Sequence, residues 1–113
     1  MFYMPKYHNL PDGRQVFLRF PDPERHADAV SRLLQGVPAG EAGKAFLSAA
    51  NADPMRLVLV AEIAGVPAGC GLLELSDRPQ MQVAMDEPYR GPELEQLLRD
   101  ALAGVAAQKG VAL

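Results

Sequence analysis

Between residues 81 and 85 apolar side chains alternate with polar or small ones, and beyond residue 92 the apolar spacing changes to three and four. The period of two predicts a strand over residues 81–85. Pro88 limits its extension because proline has no N–H to donate. The longer spacing predicts an amphipathic helix that begins at Pro92, a residue well tolerated at the first helical position. We therefore predict a strand, a turn at residues 89–91 and a helix whose buried stripe comprises Leu94, Leu97, Leu98, Ala101, Leu102 and Val105.

The preceding sequence alternates between short apolar runs and segments of helical spacing. Further strands are predicted over residues 15–20, 57–61 and 68–75, with an edge strand within residues 1–8. A first helix begins after Asp22 and has an apolar face formed by Ala27, Val30, Leu33, Leu34 and Val37. A second helix over residues 41–50 has a face formed by Ala42, Ala45, Phe46 and Ala49. Residues 111–113 are typical of the opening of one more strand.

These elements predict one domain over residues 1–113 of the α/β class, in its α+β form. Its sheet should be mainly antiparallel, with helices packed on the two faces. The short turns between the last three predicted strands indicate an antiparallel meander. The residues that we expect to be buried together are Leu57, Val58, Leu59, Val60, Leu72, Val83, Leu94, Leu98 and Leu102.

Composition excludes several classes of function. The 113 residues carry a net charge of −3 without a basic run, which predicts that the protein does not bind nucleic acid. Glu62, Pro67 and Glu74 interrupt the most apolar region, residues 57–75, so no membrane span and no membrane partner are predicted. Two histidines are too few for a typical metal site, so we predict none. Cys70 is the only cysteine, and the N-terminus lacks the apolar stretch of a signal peptide. A cytoplasmic protein without an internal disulfide is expected.

A resemblance to a known family rests on three segments of the chain. Residues 82–91, Q-V-A-M-D-E-P-Y-R-G, resemble the fourth strand and following turn of the GNAT N-acetyltransferases, commonly E-V-A-V-D-P-x-Y-R-G. Residues 12–19, D-G-R-Q-V-F-L-R, resemble the opening of several bacterial members, and residues 61–69, A-E-I-A-G-V-P-A-G, resemble the family's hairpin between strands two and three. The resemblance spans about residues 12–113 and implies a GNAT-like fold that lacks the family's C-terminal strands. It also implies transfer of an acetyl group from acetyl-CoA to an amine.

The resemblance also implies which residues would hold acetyl-CoA. A backbone amide of the fourth strand, at Met85 or a neighbour such as Val83, would stabilise the oxyanion. The pyrophosphate would lie on the turn and helix start at Arg90, Gly91, Pro92, Glu93, Leu94, Glu95 and Gln96. Glutamate occupies both positions where the family usually has a small residue, and Pro92 has no amide N–H. The loop is therefore degenerate, and we expect acetyl-CoA to bind weakly or not at all.

Few side chains are suited to act as the catalytic base. The family often has a glutamate where this chain has Gln82, and an amide is not a useful base near neutral pH. Glu74 on the neighbouring strand is the best remaining carboxylate, although its pattern favours an ordinary solvent-facing residue at an edge of the meander. Cys70 between two glycines in an apolar strand indicates a small buried side chain and not a nucleophile.

Two functions from different classes remain open. The first is an N-acetyltransferase-like enzyme whose acceptor amine the sequence does not identify. The second is a catalytically degenerate GNAT-like module that binds a partner or regulates. Without the family's fifth strand, the strand at residues 81–85 would have an unpaired edge, which proteins usually cover. We therefore predict a homodimer through this edge, or a covering segment supplied by residues 1–8.

Overall fold

The computed structural model describes residues 5–111, which are organised around one five-stranded sheet. Every strand is antiparallel to its neighbours and the spatial order follows the chain: β1 Lys6–Asn9, β2 Gln15–Arg19, β3 Arg56–Ile63, β4 Val66–Glu74 and β5 Gln80–Met85. The helices are α1 Pro23–Leu33, α2 Gly40–Ala52 and α3 Pro92–Gln108, and a single 3₁₀ turn, Glu87–Tyr89, separates β5 from α3. The predicted α+β fold with an antiparallel sheet is confirmed.

Two helix starts follow directly from local sequence. The side chain of Asp22 accepts a hydrogen bond from the backbone N–H of Glu24 and caps α1, with proline next in the chain. The third helix begins at Pro92, as predicted, after an extended Gly91 that provides no side-chain cap. Both prolines occupy the first helical position, where a backbone N–H would have no acceptor within the helix.

The second helix buries a different face from the one predicted. Its buried residues are Gly43, Leu47 and Ala50, whereas Ala42, Ala45 and Ala49 are exposed and Phe46 is half-buried. A β-carbon at Gly43 would collide with the carbonyl oxygen of Pro38, so the absence of a side chain lets this turn of α2 approach the preceding loop. The predicted face was wrong because exposing the small side chain of alanine costs little free energy. The residue that packs most closely on the preceding loop is Gly43, which has no side chain.

The sheet separates two apolar cores, since successive side chains of a strand point to opposite faces. Leu59, Leu98 and Leu102 belong to the core between the sheet and α3. Val58, Val60 and Leu72 belong to the core beneath α1 and α2. Eight of the nine predicted core residues are buried, but in these two clusters and not in one. The ninth, Val83, is half-buried because β5 is an edge strand.

Glycines in β4 allow α3 to lie directly on the sheet. A β-carbon at Gly71 would stand 2.7 Å from Cδ1 of Leu102, and one at Gly69 would stand 3.4 Å from Cδ1 of Leu98. The close approach fixes α3 against β4 and β5, and it therefore fixes the N-terminus of α3 at the end of β5.

The two ends of the described chain test the predicted covering segment at residues 1–8 and the predicted strand at residues 111–113. Residues 6–9 pair with β2 at the edge of the sheet opposite β5, so this part of the N-terminal segment does not cover β5. The covering-segment prediction is wrong for these residues, and residues 1–4 lie outside the described part. Val111 donates its N–H to the carbonyl of Ala106 and is not in a strand; residues 112 and 113 also lie outside. None of the helices formed by residues 5–111 is long and apolar enough to cross a membrane.

Candidate functional site

Among residues 5–111, strand β5 is paired along one edge only, and its other edge is called the open edge. On the paired side the N–H of Asp86 donates to the carbonyl of Ala68 at 2.8 Å, and Met85 stands opposite Gly69. Hydrogen-bonded and non-hydrogen-bonded pairs alternate along an antiparallel ladder. The N–H and C=O groups of Met85, Val83 and Met81 therefore point away from β4. No strand formed by residues 5–111 pairs with this edge, so the predicted oxyanion donors face outward.

The start of α3 follows the end of β5 after the 3₁₀ turn. Gly91 is extended, with φ 174° and ψ 156°, and its carbonyl accepts the N–H of Glu95 at 3.2 Å. The predicted amide cradle is smaller than expected, because the helix itself uses the N–H groups of Glu95 and Gln96, while Arg90 donates to the carbonyl of Glu87. Among the described residues, the N–H groups of Gly91, Glu93 and Leu94 are left without a backbone partner.

The two glutamates of this turn have different surroundings. Glu93 Oε2 lies 3.3 Å from the point where a β-carbon of Gly91 would stand, so its carboxylate is folded over the helix N-terminus. Glu95 Oε2 instead accepts from Nε of Arg99 at 2.9 Å, one turn along the helix. Only Glu93 therefore places negative charge over the predicted pyrophosphate position, whereas the charge of Glu95 is partly balanced.

An ion pair holds the turn before α3 against α1. The guanidinium of Arg32 donates to both carboxylate oxygens of Asp86, at 3.0 and 3.2 Å. This hydrogen bonding lowers the pKa of Asp86 and raises that of Arg32. Asp86 also accepts the N–H of Glu87 and so begins the 3₁₀ turn. Asp86 is thus a positioning group kept ionised, and it is unsuited to act as a base.

A cleft of about 920 Å³ opens beside β5 on the face that carries α1. One wall is the loop after α1, which Gln82 fastens to the sheet. Its Oε1 accepts the N–H of Gln35 at 2.6 Å, and its Nε2 donates to the carbonyl of the same residue at 3.4 Å. Gln82 consequently has a structural role at the position where the resemblance would place a base.

Glu74 lies at the far end of this cleft and does not meet the predicted oxyanion donor. It stands opposite Gln80, five residues along β4 from Gly69, the partner of Met85. At the usual rise of a strand the separation is about 17 Å. The Glu74 carboxylate is 3.8 Å from the guanidinium of Arg56 and its side chain is 40% exposed. The structure therefore separates the two predicted catalytic elements.

No family model matches the chain, and no curated protein matches it. Among solved structures it is similar to "the acetyltransferase of GNAT family from Streptococcus pneumoniae", with a TM-score of 0.70 and 16% sequence identity. The similarity covers 85% of this chain and 69% of that one. This chain has a GNAT-like fold.

Cys70 lies inside the GNAT-like domain and away from solvent, as predicted. Its side chain is 1% exposed, and burial raises the pKa of the thiol to about 12. A thiol in that state is a poor nucleophile at neutral pH. Within residues 5–111 no group of three or more histidine, cysteine, aspartate or glutamate side chains is arranged to hold a metal ion.

A buried ionic cluster in this fold was missed by sequence reasoning. Glu62 on β3 is 6% exposed, and its Oε2 lies 2.9 Å from both Nη2 of Arg25 and Nε2 of His26. Oε1 lies 3.6 Å from Nη1 of Arg19. The one available signal was that residues 58, 60 and 62 share a strand face, which places a carboxylate among apolar side chains. These contacts fasten α1 to β3, and the carboxylate is fully engaged.

Proposed function

We propose that this chain is an N-acetyltransferase-like protein that holds acetyl-CoA along the open edge of β5. The observation that carries the proposal is the outward direction of the Val83 and Met85 amides, immediately before the N-terminus of α3. The extended, amide-containing arm of acetyl-CoA can exchange hydrogen bonds with the edge of β5, as another strand would. The GNAT-like fold supports the same assignment.

The reaction would be an ordinary aminolysis of a thioester. A cationic acceptor first loses one proton to water; the neutral amine nitrogen then attacks the carbonyl carbon, the C–S bond breaks, and the released thiolate takes the second proton that the nitrogen gives up. Negative charge that develops on the carbonyl oxygen would be stabilised by an outward N–H, from Met85 or Val83. The cleft beside Gln82 would admit the amine from the α1 face, and Glu74 would attract a cationic acceptor from the far end.

The start of α3 supports only weak binding of the pyrophosphate. The N–H groups of Gly91, Glu93 and Leu94 have no backbone partner and lie at the positive end of the helix dipole, which favours an anion. Pro92 contributes no donor, and the Glu93 carboxylate occupies the same region. Two unit charges 4 Å apart repel by about 1 kcal/mol in water. Acetyl-CoA is therefore expected to bind, with an affinity that Glu93 reduces.

A second candidate function is a partner-binding module without catalysis. It is favoured by the separation of Glu74 from Met85 and by the engagement of Asp86, the carboxylate next to Met85, in an ion pair with Arg32. The cytoplasmic setting predicted from the lone thiol is compatible with either function.

Isothermal titration with acetyl-CoA tests the first proposal. Glu93→Gln keeps the size of the side chain and removes its charge, so affinity should rise about fivefold, the equivalent of about 1 kcal/mol. Glu95→Gln is the matched control, since that carboxylate is paired with Arg99 and should leave affinity within about twofold. Failure of the unaltered chain and of Glu93→Gln to bind at millimolar acetyl-CoA would discard the acetyltransferase proposal in favour of the partner-binding module.

A further inference from the structure

The two edges of the sheet differ in their protection. Strand β1 is short, exposes Lys6 and follows Pro5, and charge and proline are common means of preventing edge pairing. Strand β5, Gln80–Met85, contains no charged residue, no proline and no recorded bulge against β4. One edge thus carries the usual barriers to pairing with another chain and the other carries none.

The side chains of β5 also indicate an incomplete surface. Met81, Val83 and Met85 are half-buried and pack against the core between the sheet and α3. This apolar stripe reaches the edge of the sheet together with the outward N–H and C=O groups of the same three residues. Apolar contact and hydrogen bonding are consequently available to one incoming strand at the same place.

We propose that the open edge of β5 pairs with β5 of a second copy of this chain, antiparallel and about a two-fold axis. Outward-facing groups occur at residues 81, 83 and 85, so most hydrogen bonds form when Val83 stands opposite Val83 of the second copy. Met81 then faces Met85 of the other chain, and each of these pairs exchanges both of its backbone hydrogen bonds. The interface is isologous, because the same strand serves both copies.

Charge at the ends of β5 favours a second copy over other occupants. Arg78 precedes the strand and Glu87 follows it; both are exposed, and neither forms an ion pair with another residue in the range 5–111. The register centred on Val83 brings Arg78 of one copy beside Glu87 of the other, at both ends of the paired strands. The strand is therefore complementary to itself in backbone groups, apolar side chains and charge.

This inference does not depend on acetyl transfer. Both proposals use the edge of β5, so acetyl-CoA and the second copy would exclude one another if both hold. A dimer that fails to form leaves the titration with acetyl-CoA unaffected, and a chain that fails to bind acetyl-CoA can still form the dimer. The two proposals can thus fail separately when acetyl-CoA is titrated at protein concentrations below the dimer Kd.

Sedimentation velocity of the full chain, over a wide concentration range up to millimolar, measures the dimer. Val83→Pro removes an N–H that faces outward and is tolerated at a strand edge, so the fold should persist by circular dichroism. Loss of this bond from both copies, at about 1 kcal/mol each, should raise the dimer Kd about thirtyfold.

Exchange of the flanking charges gives a second test that does not alter the strand. Arg78→Glu and Glu87→Arg should each raise the dimer Kd about fivefold, since an exposed ion pair is lost twice in a symmetric interface. The double variant should return the Kd toward that of the unaltered chain. A monomer at every concentration would overturn the proposal. A dimer insensitive to Val83→Pro, or to both charge reversals, would overturn it as well.

Discussion

Substitution of Glu62 by alanine removes the acceptor at the centre of the buried cluster. Hydrogen-bond geometry assigns the proton of His26: Nδ1 accepts the backbone N–H of Asp22 at 2.7 Å, so the ring proton is on Nε2 and is donated to Glu62. His26 is fully buried, with 0% of its surface exposed. Without Glu62 this donor has no partner and no access to water.

The expected cost is about 3 kcal/mol. Removal of one member of a buried ion pair typically costs about 3–5 kcal/mol, and a single buried donor left unpaired costs about 1–3 kcal/mol. The lower part of the first range applies because two of the three partners can hydrate. The side chains of Arg25 and Arg19 are 52% and 28% exposed, whereas that of His26 is not exposed at all.

Urea unfolding of Glu62→Ala and of Glu74→Ala provides a matched comparison. Both glutamates face arginine across neighbouring elements, but Glu74 is 3.8 Å from Arg56 and 40% exposed, so its loss should cost less than about 1 kcal/mol. Added salt should reduce the effect of Glu74→Ala and leave most of the effect of Glu62→Ala, because buried pairs are screened little. A Glu62→Ala protein within about 1 kcal/mol of the unaltered chain would refute the assigned hydrogen bonds.

Two further predictions concern stability. Gly43→Ala should destabilise the protein by about 2 kcal/mol, because the new methyl group meets the backbone carbonyl of Pro38. The control Gly104→Ala, in an open part of α3, should stabilise the protein by about 1 kcal/mol. Equal effects of the two substitutions on the free energy of urea unfolding would contradict this packing. Hydrogen bonding from Arg32 lowers the pKa of Asp86 from its ordinary 3.8, so the stability it contributes is present above pH 3.8 and is lost as pH falls through the lower folded value. Asp86→Asn should therefore weaken the pH dependence of the free energy of unfolding below pH 3.8. Identical pH dependences for the variant and the unaltered chain would argue against the ion pair.

Sequence reasoning succeeded where the signal was local. The unit from β5 to α3 was predictable because alternation, a proline at the helix start and steps of three and four all lie within one short segment. The face of α2 was not predictable in the same way. Its contact with Pro38 depends on the loop between the helices, and a helix rich in alanine has little hydrophobic contrast to orient it.

In the candidate site, too, contacts between residues close in sequence were predictable and contacts between distant residues were not. The pair between Glu95 and Arg99 is four residues apart on a helix, so it was visible in the sequence and was overlooked. In contrast, Arg32 and Asp86 are 54 positions apart, and Gln35 and Gln82 are 47 apart. No periodicity joins such residues, because only the assembled sheet brings α1 beside β5.

The direction of the amides along β5 is the property on which both proposals depend, and it follows from register alone. A shift of one residue against β4 would turn Val83 and Met85 inward and present Gln82 and Ala84 at the edge. The observed register makes this strand edge available to the two proposed occupants, acetyl-CoA and a second copy of the chain. Linkage then requires that acetyl-CoA weaken the dimer by the factor by which dimerisation weakens acetyl-CoA binding. The affinity of the monomer for acetyl-CoA should therefore be measured at protein concentrations below the dimer Kd. Under those conditions the charge of Glu93, and not competition from a second copy, lowers the affinity.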